Sequence, residues 1–165
     1  MGERLPLLFV LVGPVGCGKS HLAARISAVT GCAVVSNDRI RAQLAVKPSF
    51  ADEENRMVYR TALTAIERQL VGGMDVVYDG TNLDDDLRER VRQIAEPLAD
   101  VLFIVTCAGD AVCHARLAGR PGGAEQWWPI YQQLAERMHP IKSSFFLVNT
   151  AASTDGLTRL LRRLV

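Results

Sequence analysis

Apolar residues along the chain fall into two patterns, short unbroken runs and longer stretches with a helical spacing. The runs Leu7–Val12, Cys32–Val35, Val76–Tyr78, Val101–Thr106 and Phe145–Val148 have no polar alternation, so they predict strands buried on both faces. Between them the apolar positions return every three or four residues. Leu22, Ile26 and Val29 share one face of Ser20–Val29. Val58, Ala62, Ala65, Ile66 and Leu70 share one face of a helix whose first turn holds Asp52-Glu53-Glu54, charges that suit the positive end of its dipole. Leu87, Val91 and Ile94 mark a helix from Asp84-Asp85-Asp86 to Pro97. Shorter helices are expected at Arg39–Leu44, opened by Asp38, at Asp110–Ala118, over the stretch carrying Trp127, Trp128, Ile130, Tyr131, Leu134 and Met138, and at Thr154–Leu164. Gly31 and Gly72-Gly73 mark helix ends, Lys47-Pro48-Ser49 breaks the chain, and Gly119-Arg120-Pro121-Gly122-Gly123 reads as a mobile link. Strands alternating with helices predict an α/β fold in which a parallel sheet carries helices on both faces. Adjacent tryptophans cannot share a helix face, so one of Trp127 and Trp128 is expected in the core and the other toward a cleft.

Composition narrows the picture only a little. A length of 165 residues, 48% of them hydrophobic and 22% charged, suits one soluble domain spanning 1–165. Nineteen basic against eighteen acidic residues leave a net charge of +1, which gives no overall attraction to nucleic acid or membrane but leaves a local basic groove open. No apolar run approaches the length of a membrane span, and no secretory leader is visible, so the expected location is the cytoplasm. Cys17, Cys32, Cys107 and Cys113 show no zinc spacing and are expected as reduced, buried thiols. Cys17 has a second reading, a reactive thiolate among loop amides near Lys19.

The chemistry concentrates after the first strand. Gly13-Pro14-Val15-Gly16-Cys17-Gly18-Lys19-Ser20 fits the phosphate-loop pattern G-x-x-x-x-G-K-[ST], with a strand before it and a helix after it. Its glycines let successive amides turn inward around an anion, and the following helix adds its positive end. Lys19 is expected on the β- and γ-phosphates of a nucleoside triphosphate, and the Ser20 hydroxyl on its magnesium.

Ligands of an open α/β sheet lie beyond the carboxyl ends of its strands. Asp38 stands there after the second strand, either as a helix cap or as a base for an attacking hydroxyl. Arg41, three residues on, can share its helix face and hold an anionic group of the acceptor. Asp79 closes the third strand, where an acid can hold magnesium; plain turn chemistry for Asp79-Gly80-Thr81-Asn82 is the other reading. Arg116 and Arg120, four apart, either swing over a transferring phosphoryl group or lie on a solvated helix face.

These segments, with Trp128-Pro129-Ile130-Tyr131 and His139-Pro140-Ile141, resemble the polynucleotide-kinase-like P-loop phosphotransferases, a group that also includes zeta-toxin-like kinases. The resemblance implies a P-loop three-layer sandwich with sheet order 2-3-1-4-5 and a helical lid, here about 116–140. It implies ATP and Mg2+, with Gly13, Pro14, Val15, Gly16, Cys17, Gly18, Lys19, Ser20 and His21 around the donor phosphates and adenine near Asn149–Ala152. Lys19, Asp38, Arg116 and Arg120 are then the catalytic set, and Asp38, Arg41, Asp79, Thr81 and Asn82 face the acceptor. Ser20 and Asp79 hold the metal. The acceptor implied is the 5′-hydroxyl of a polynucleotide or nucleotide; a small-molecule alcohol is the alternative, because His21 and Pro121-Gly122-Gly123-Ala124-Glu125 depart from the usual pattern. A P-loop switch or motor and an idle binding module are the other classes. The GTPase strings N-K-x-D and D-x-x-G are absent, and the convergent acids and arginines argue against an idle module.

Overall fold

The fold is built outward from β1 (Leu7–Val12), whose residues from Leu8 to Val12 are each 0% exposed. Its side chains alternate between two layers: Leu8, Val10 and Val12 enter one hydrophobic cluster, and Leu7, Phe9 and Leu11 enter another. The computed structural model describes residues 4–44 and 49–164, so Lys47-Pro48 of the expected break lies outside the described residues.

On one side β1 pairs with β3 (Val76–Asp79), placing Leu8 opposite Val76 and Val10 opposite Tyr78. On the other it pairs with β4 (Asp100–Cys107), from Leu7 opposite Asp100 to Val12 opposite Val105. The edges are β2 (Ala33–Ser36) and β5 (Phe145–Asn149). All pairs are parallel, and the order is β2-β3-β1-β4-β5.

The helices named in chain order are α1 (Lys19–Thr30), α2 (Asn37–Leu44), α3 (Asp52–Val71), α4 (Asp85–Ala95), α5 (Asp110–Ala118), α6 (Gly123–Glu136) and α7 (Asp155–Leu161). Val58, Ala62, Ile66 and Leu70 of α3, with Val91 and Ala95 of α4, cover the Leu8–Val10–Val12 face. Leu22, Ala23 and Ile26 of α1, with Leu161 of α7, cover the Phe9–Leu11 face. Each such large apolar side chain taken from water contributes about 1.5–3 kcal/mol, so layer packing rather than local propensity holds these elements. A third, smaller cluster of Cys17, Cys113, Leu117 and Tyr131 joins the loop after β1 to α5 and α6.

Several boundaries differ from expectation. The α2 helix starts at Asn37, directly after β2, because Ser36 is still paired opposite Asp79 and the chain turns at once. Asp38 therefore lies inside the first turn and is not a cap. Pro97 has no amide hydrogen to extend the ladder, and α4 stops at Ala95. The His139 amide is drawn to the Leu83 carbonyl (3.0 Å), which takes the chain out of α6 after Glu136. Two ends are as the residues predict. Gly31 adopts φ +78° and returns its N–H to Ser27, while the Asp84 side chain accepts from the Asp86 amide at 2.9 Å. Among the described residues no helix is long and apolar enough to cross a membrane.

Candidate active site

The loop Gly13–Ser20 is wedged between neighbours on both sides. The Gly13 amide donates to the Thr81 carbonyl at 3.0 Å. A Cβ at Gly13 would meet the Thr106 hydroxyl oxygen at 2.5 Å and its carbonyl oxygen at 2.9 Å. Gly18, at φ +81°, leads straight into α1, whose Leu22 amide returns to its carbonyl at 3.0 Å. A side chain there would strike Thr150 and Arg116. Glycine is thus required by both backbone angle and space.

Lys19 opens α1 and folds back over the loop, its ammonium donating to the Pro14 carbonyl at 2.8 Å. It is only 8% exposed. Burial pulls its pKa below the ordinary lysine range; Asp79, Cys17 and Asp38 push it back up, and Arg120 opposes them. One buried ammonium thus feels Asp38 from α2, Asp79 from β3 and Arg120 from the segment after α5. The sheet order puts Asp79, at the end of β3, and Asp38, just after β2, on the side of the loop that follows β1, while Arg120 comes from beyond the end of α5.

Each sits differently. Asp79 is 7% exposed and accepts from the Ser36 hydroxyl at 3.3 Å, across the β2–β3 pair. Asp38 is exposed, and no donor among the described residues reaches its carboxylate. Arg120 is half-buried with its guanidinium 5.2 Å from the Trp127 ring centre. Ser20 is exposed at the head of α1, and His21 beside it is also exposed.

Other expected residues are already committed within the protein. Arg41 does not present with Asp38. It is buried against α3, paired with Glu54, bonded to Asn55 at 2.9 Å, and lies 4.5 Å from the centre of the Phe50 ring. Asn82, in a left-handed turn at φ +48°, is buried and donates to the Leu11 carbonyl at 2.8 Å, so it ties the β3–α4 turn to the end of β1. Arg116 reaches the Thr150 hydroxyl (2.9 Å), the Thr150 carbonyl (2.9 Å) and the Gly16 carbonyl (3.3 Å). The Thr150 hydroxyl in turn donates to the Cys17 carbonyl at 2.9 Å. Together they strap the phosphate loop to the turn after β5. Asn149 in that turn is exposed and accepts from the Ala151 amide at 3.0 Å.

Two expectations are corrected. The Cys17 sulfur lies 3.6 Å from that of Cys113, and burial, then Cys113, pushes the thiol up to about 12. A thiolate is therefore disfavoured, despite the loop amides. Neither tryptophan is a core residue: both are half-buried, Trp128 stacking on Tyr131 at 4.7 Å and Trp127 meeting Phe50 edge-on at 6.4 Å. Thr150, Asn55 and Phe50 are not singled out by periodicity or motif, and Glu54 and Thr106 figure there only as a helix first-turn charge and a strand end. Their partners lie far along the chain or across a turn, where no spacing rule applies.

The loop and its rim can be tested against a nucleoside triphosphate and magnesium. Gly13, Gly16 and Gly18 lie so close to Thr106, Leu117 and Thr150 that a side chain would clash, which keeps the loop in the tight turn that a phosphate group needs. Among the described residues no group of three or more His, Cys, Asp or Glu side chains could hold a metal alone. Magnesium carried by phosphates needs only one or two protein oxygens, and Ser20 and Asp79 fit that role.

A glycine-cradled anion site, a buried lysine and two rim acids on a five-stranded parallel sheet define a P-loop nucleotide-binding fold of the kinase type. A family model described as an AAA domain matches residues 8–128, and the chain belongs to that family. Solved structures share the fold. The APS kinase CysC of Mycobacterium tuberculosis, in complex with AMPPNP and APS, superposes with a TM-score of 0.75 at 13% identity, covering 98% of each chain. A gluconokinase from Sinorhizobium meliloti 1021 gives 0.68 at 19% identity, over 98% of this chain and 93% of that one. A chain of the Pnkp1/Rnl/Hen1 RNA repair complex gives 0.63 at 19% identity, over 85% of this chain and 49% of that one. No curated protein matches the sequence.

Proposed function

We propose that the protein is an ATP-dependent kinase that moves the γ-phosphoryl group onto an alcohol, the 5′-hydroxyl of a polynucleotide or nucleotide, within a single domain. The observation that carries this reading is the buried Lys19 ammonium folded over the glycine loop after β1, with Asp79 at the end of the neighbouring β3 and Asp38 in the first turn of α2 beyond β2. The hydroxyl oxygen attacks the γ-phosphorus, its proton passes to the Asp38 carboxylate, and the bond to the β-phosphate oxygen breaks to release ADP. Lys19 holds the β- and γ-phosphates, and Arg120 neutralises charge gathering on the transferred group. Ser20 and Asp79 would hold the magnesium that comes with the nucleotide, and it would further neutralise the phosphates. Arg116 ties the loop to Thr150, and Asn149–Ala152 would receive the adenine.

One observation favours a second acceptor class. The Arg41 guanidinium is already matched by Glu54 and Asn55, so an acceptor phosphate must displace Glu54 to reach it. A small alcohol without that phosphate needs no such exchange.

The test is transfer of labelled phosphate from ATP to 5′-OH DNA, 5′-OH RNA, 3′-phosphorylated nucleosides, sugars and antibiotics. Transfer to a 5′-hydroxyl is expected, with Asp38→Asn lowering kcat by about 10²–10⁴ while ATP affinity holds. Transfer to none of these alcohols, with ATP bound, sinks the kinase reading.

A further inference from the structure

Phe50 is out of place by ordinary rules. It is a large aromatic residue at φ +56°, the left-handed region that a bulky side chain avoids, and 52% of it is exposed. Strain of this kind persists only where the surroundings impose it. Here they do. Glu54 accepts from the Ser49 hydroxyl (2.6 Å), the Ser49 amide (2.7 Å) and the Phe50 amide (3.4 Å), while Asn55 donates to the Phe50 carbonyl at 2.8 Å. Arg41, paired with the same Glu54, supports one side of the ring. The start of α3 thus holds one exposed ring in a fixed place, and the hydrophobic core gains nothing from it.

The ring points across to the segment expected as the lid. Trp127 makes a T-shaped contact with it at 6.4 Å, and Arg120 lies over the Trp127 ring. Arg41, Phe50, Trp127 and Arg120 therefore form a continuous row, with an aromatic pair between the α2–α3 side and the arginine whose charge reaches Lys19. The two rings of this row have no hydrogen-bonding capacity to spare. The Trp127 indole N–H donates to the Pro121 carbonyl at 2.8 Å, and Phe50 has no polar group. Such a wall offers π faces and little to satisfy the hydroxyls of a polyol.

We infer that Phe50 and Trp127 are the specificity-determining residues of the acceptor site, and that the acceptor carries a planar aromatic ring, such as a nucleobase, which seats against them next to the hydroxyl being phosphorylated. The inference rests on the kinase reading and adds the residues that recognise the ring of the acceptor. Stacking is tolerant of base identity, because every base presents a π face, so one ring type should not be strongly preferred over another.

The test uses the whole protein and two oligonucleotide acceptors, one intact and one with an abasic 5′-terminal residue. In the wild type, KM for the abasic acceptor should rise on the order of tenfold to a hundredfold, the usual worth of one base–aromatic stack, while KM for ATP stays put. Phe50→Leu keeps bulk and removes the π face. It should bring the two acceptor KM values close together, and Phe50→Tyr should restore the gap. A Trp128→Phe protein leaves Trp127 as its one tryptophan, and its fluorescence should be quenched by a 3′-phosphorylated nucleoside but not by gluconate. Transfer that proceeds equally well to intact and abasic ends, or Phe50→Leu leaving the gap unchanged, overturns the inference while the kinase reading stands. Loss of transfer to every alcohol strikes at the kinase reading instead.

Discussion

Lys19 is the residue on which the donor site turns, and its position has a cost. A buried ammonium with a depressed pKa is less comfortable in the folded chain than in water, so below the unfolded value of 10.5 it lowers stability, and the penalty fades as pH rises toward that value. Phosphate oxygens remove the penalty by supplying counter-charge. Lys19→Met should therefore keep or raise the Tm of the ligand-free protein, abolish the upward Tm shift given by ATP, and end phosphoryl transfer. Thermal unfolding with and without ATP checks this; a variant still stabilised by ATP to the wild-type extent would move the nucleotide elsewhere. Lys19 and Asp79 were legible in the sequence because strand, glycine loop and strand-end acid follow one another in fixed order. The burial of Lys19 and its bond to Pro14 were not, since they depend on how tightly the loop closes.

At the scale of elements, the alternation of short apolar runs and helical spacings was enough to place every strand and helix of the sheet. The joints were harder to read. Ser36-Asn37 carries no break between strand and helix, so α2 looked two residues shorter than it is. The pairing of Arg41 with Glu54 spans a turn, and helical spacing within α2 alone pointed Arg41 at the acceptor. Glu54 supplies a test of what that pairing does. Glu54→Gln should raise the acceptor KM by loosening Ser49 and Phe50, with KM for ATP unchanged. A lower KM for a 3′-phosphorylated acceptor would instead mean that Arg41, once released, takes the acceptor phosphate. Hydrogen bonds from the Ser49 hydroxyl and amide, then from Arg41, hold the Glu54 carboxyl down at about 2 from 4.5. Its contribution to stability is full above 4.5 and is lost as pH falls toward about 2. The stability difference between wild type and Glu54→Gln, followed by denaturant unfolding, should shrink across that window.

Across the whole molecule, the sheet and its two layers follow from periodicity, whereas the polar fasteners between distant segments do not. Arg88 is the clearest case. On α4 it is 3% exposed and donates to the carbonyls of Asn82 (2.9 Å), Leu83 (2.7 Å), His139 (3.1 Å) and Pro140 (2.9 Å), partners that no helical spacing marks. Lysine cannot reproduce that planar fork. Arg88→Lys should cost on the order of 1–3 kcal/mol through unsatisfied buried carbonyls, read as a fall in the urea midpoint at unchanged slope. The same side chain joins the turn behind Asp79 to the stretch that follows α6. Lys142 adds a second tie to that turn, through Asp85. Amide protons at the two places, more than fifty residues apart in the chain, should then exchange with deuterium at a common rate, opening as one cooperative unit although no backbone connects them locally.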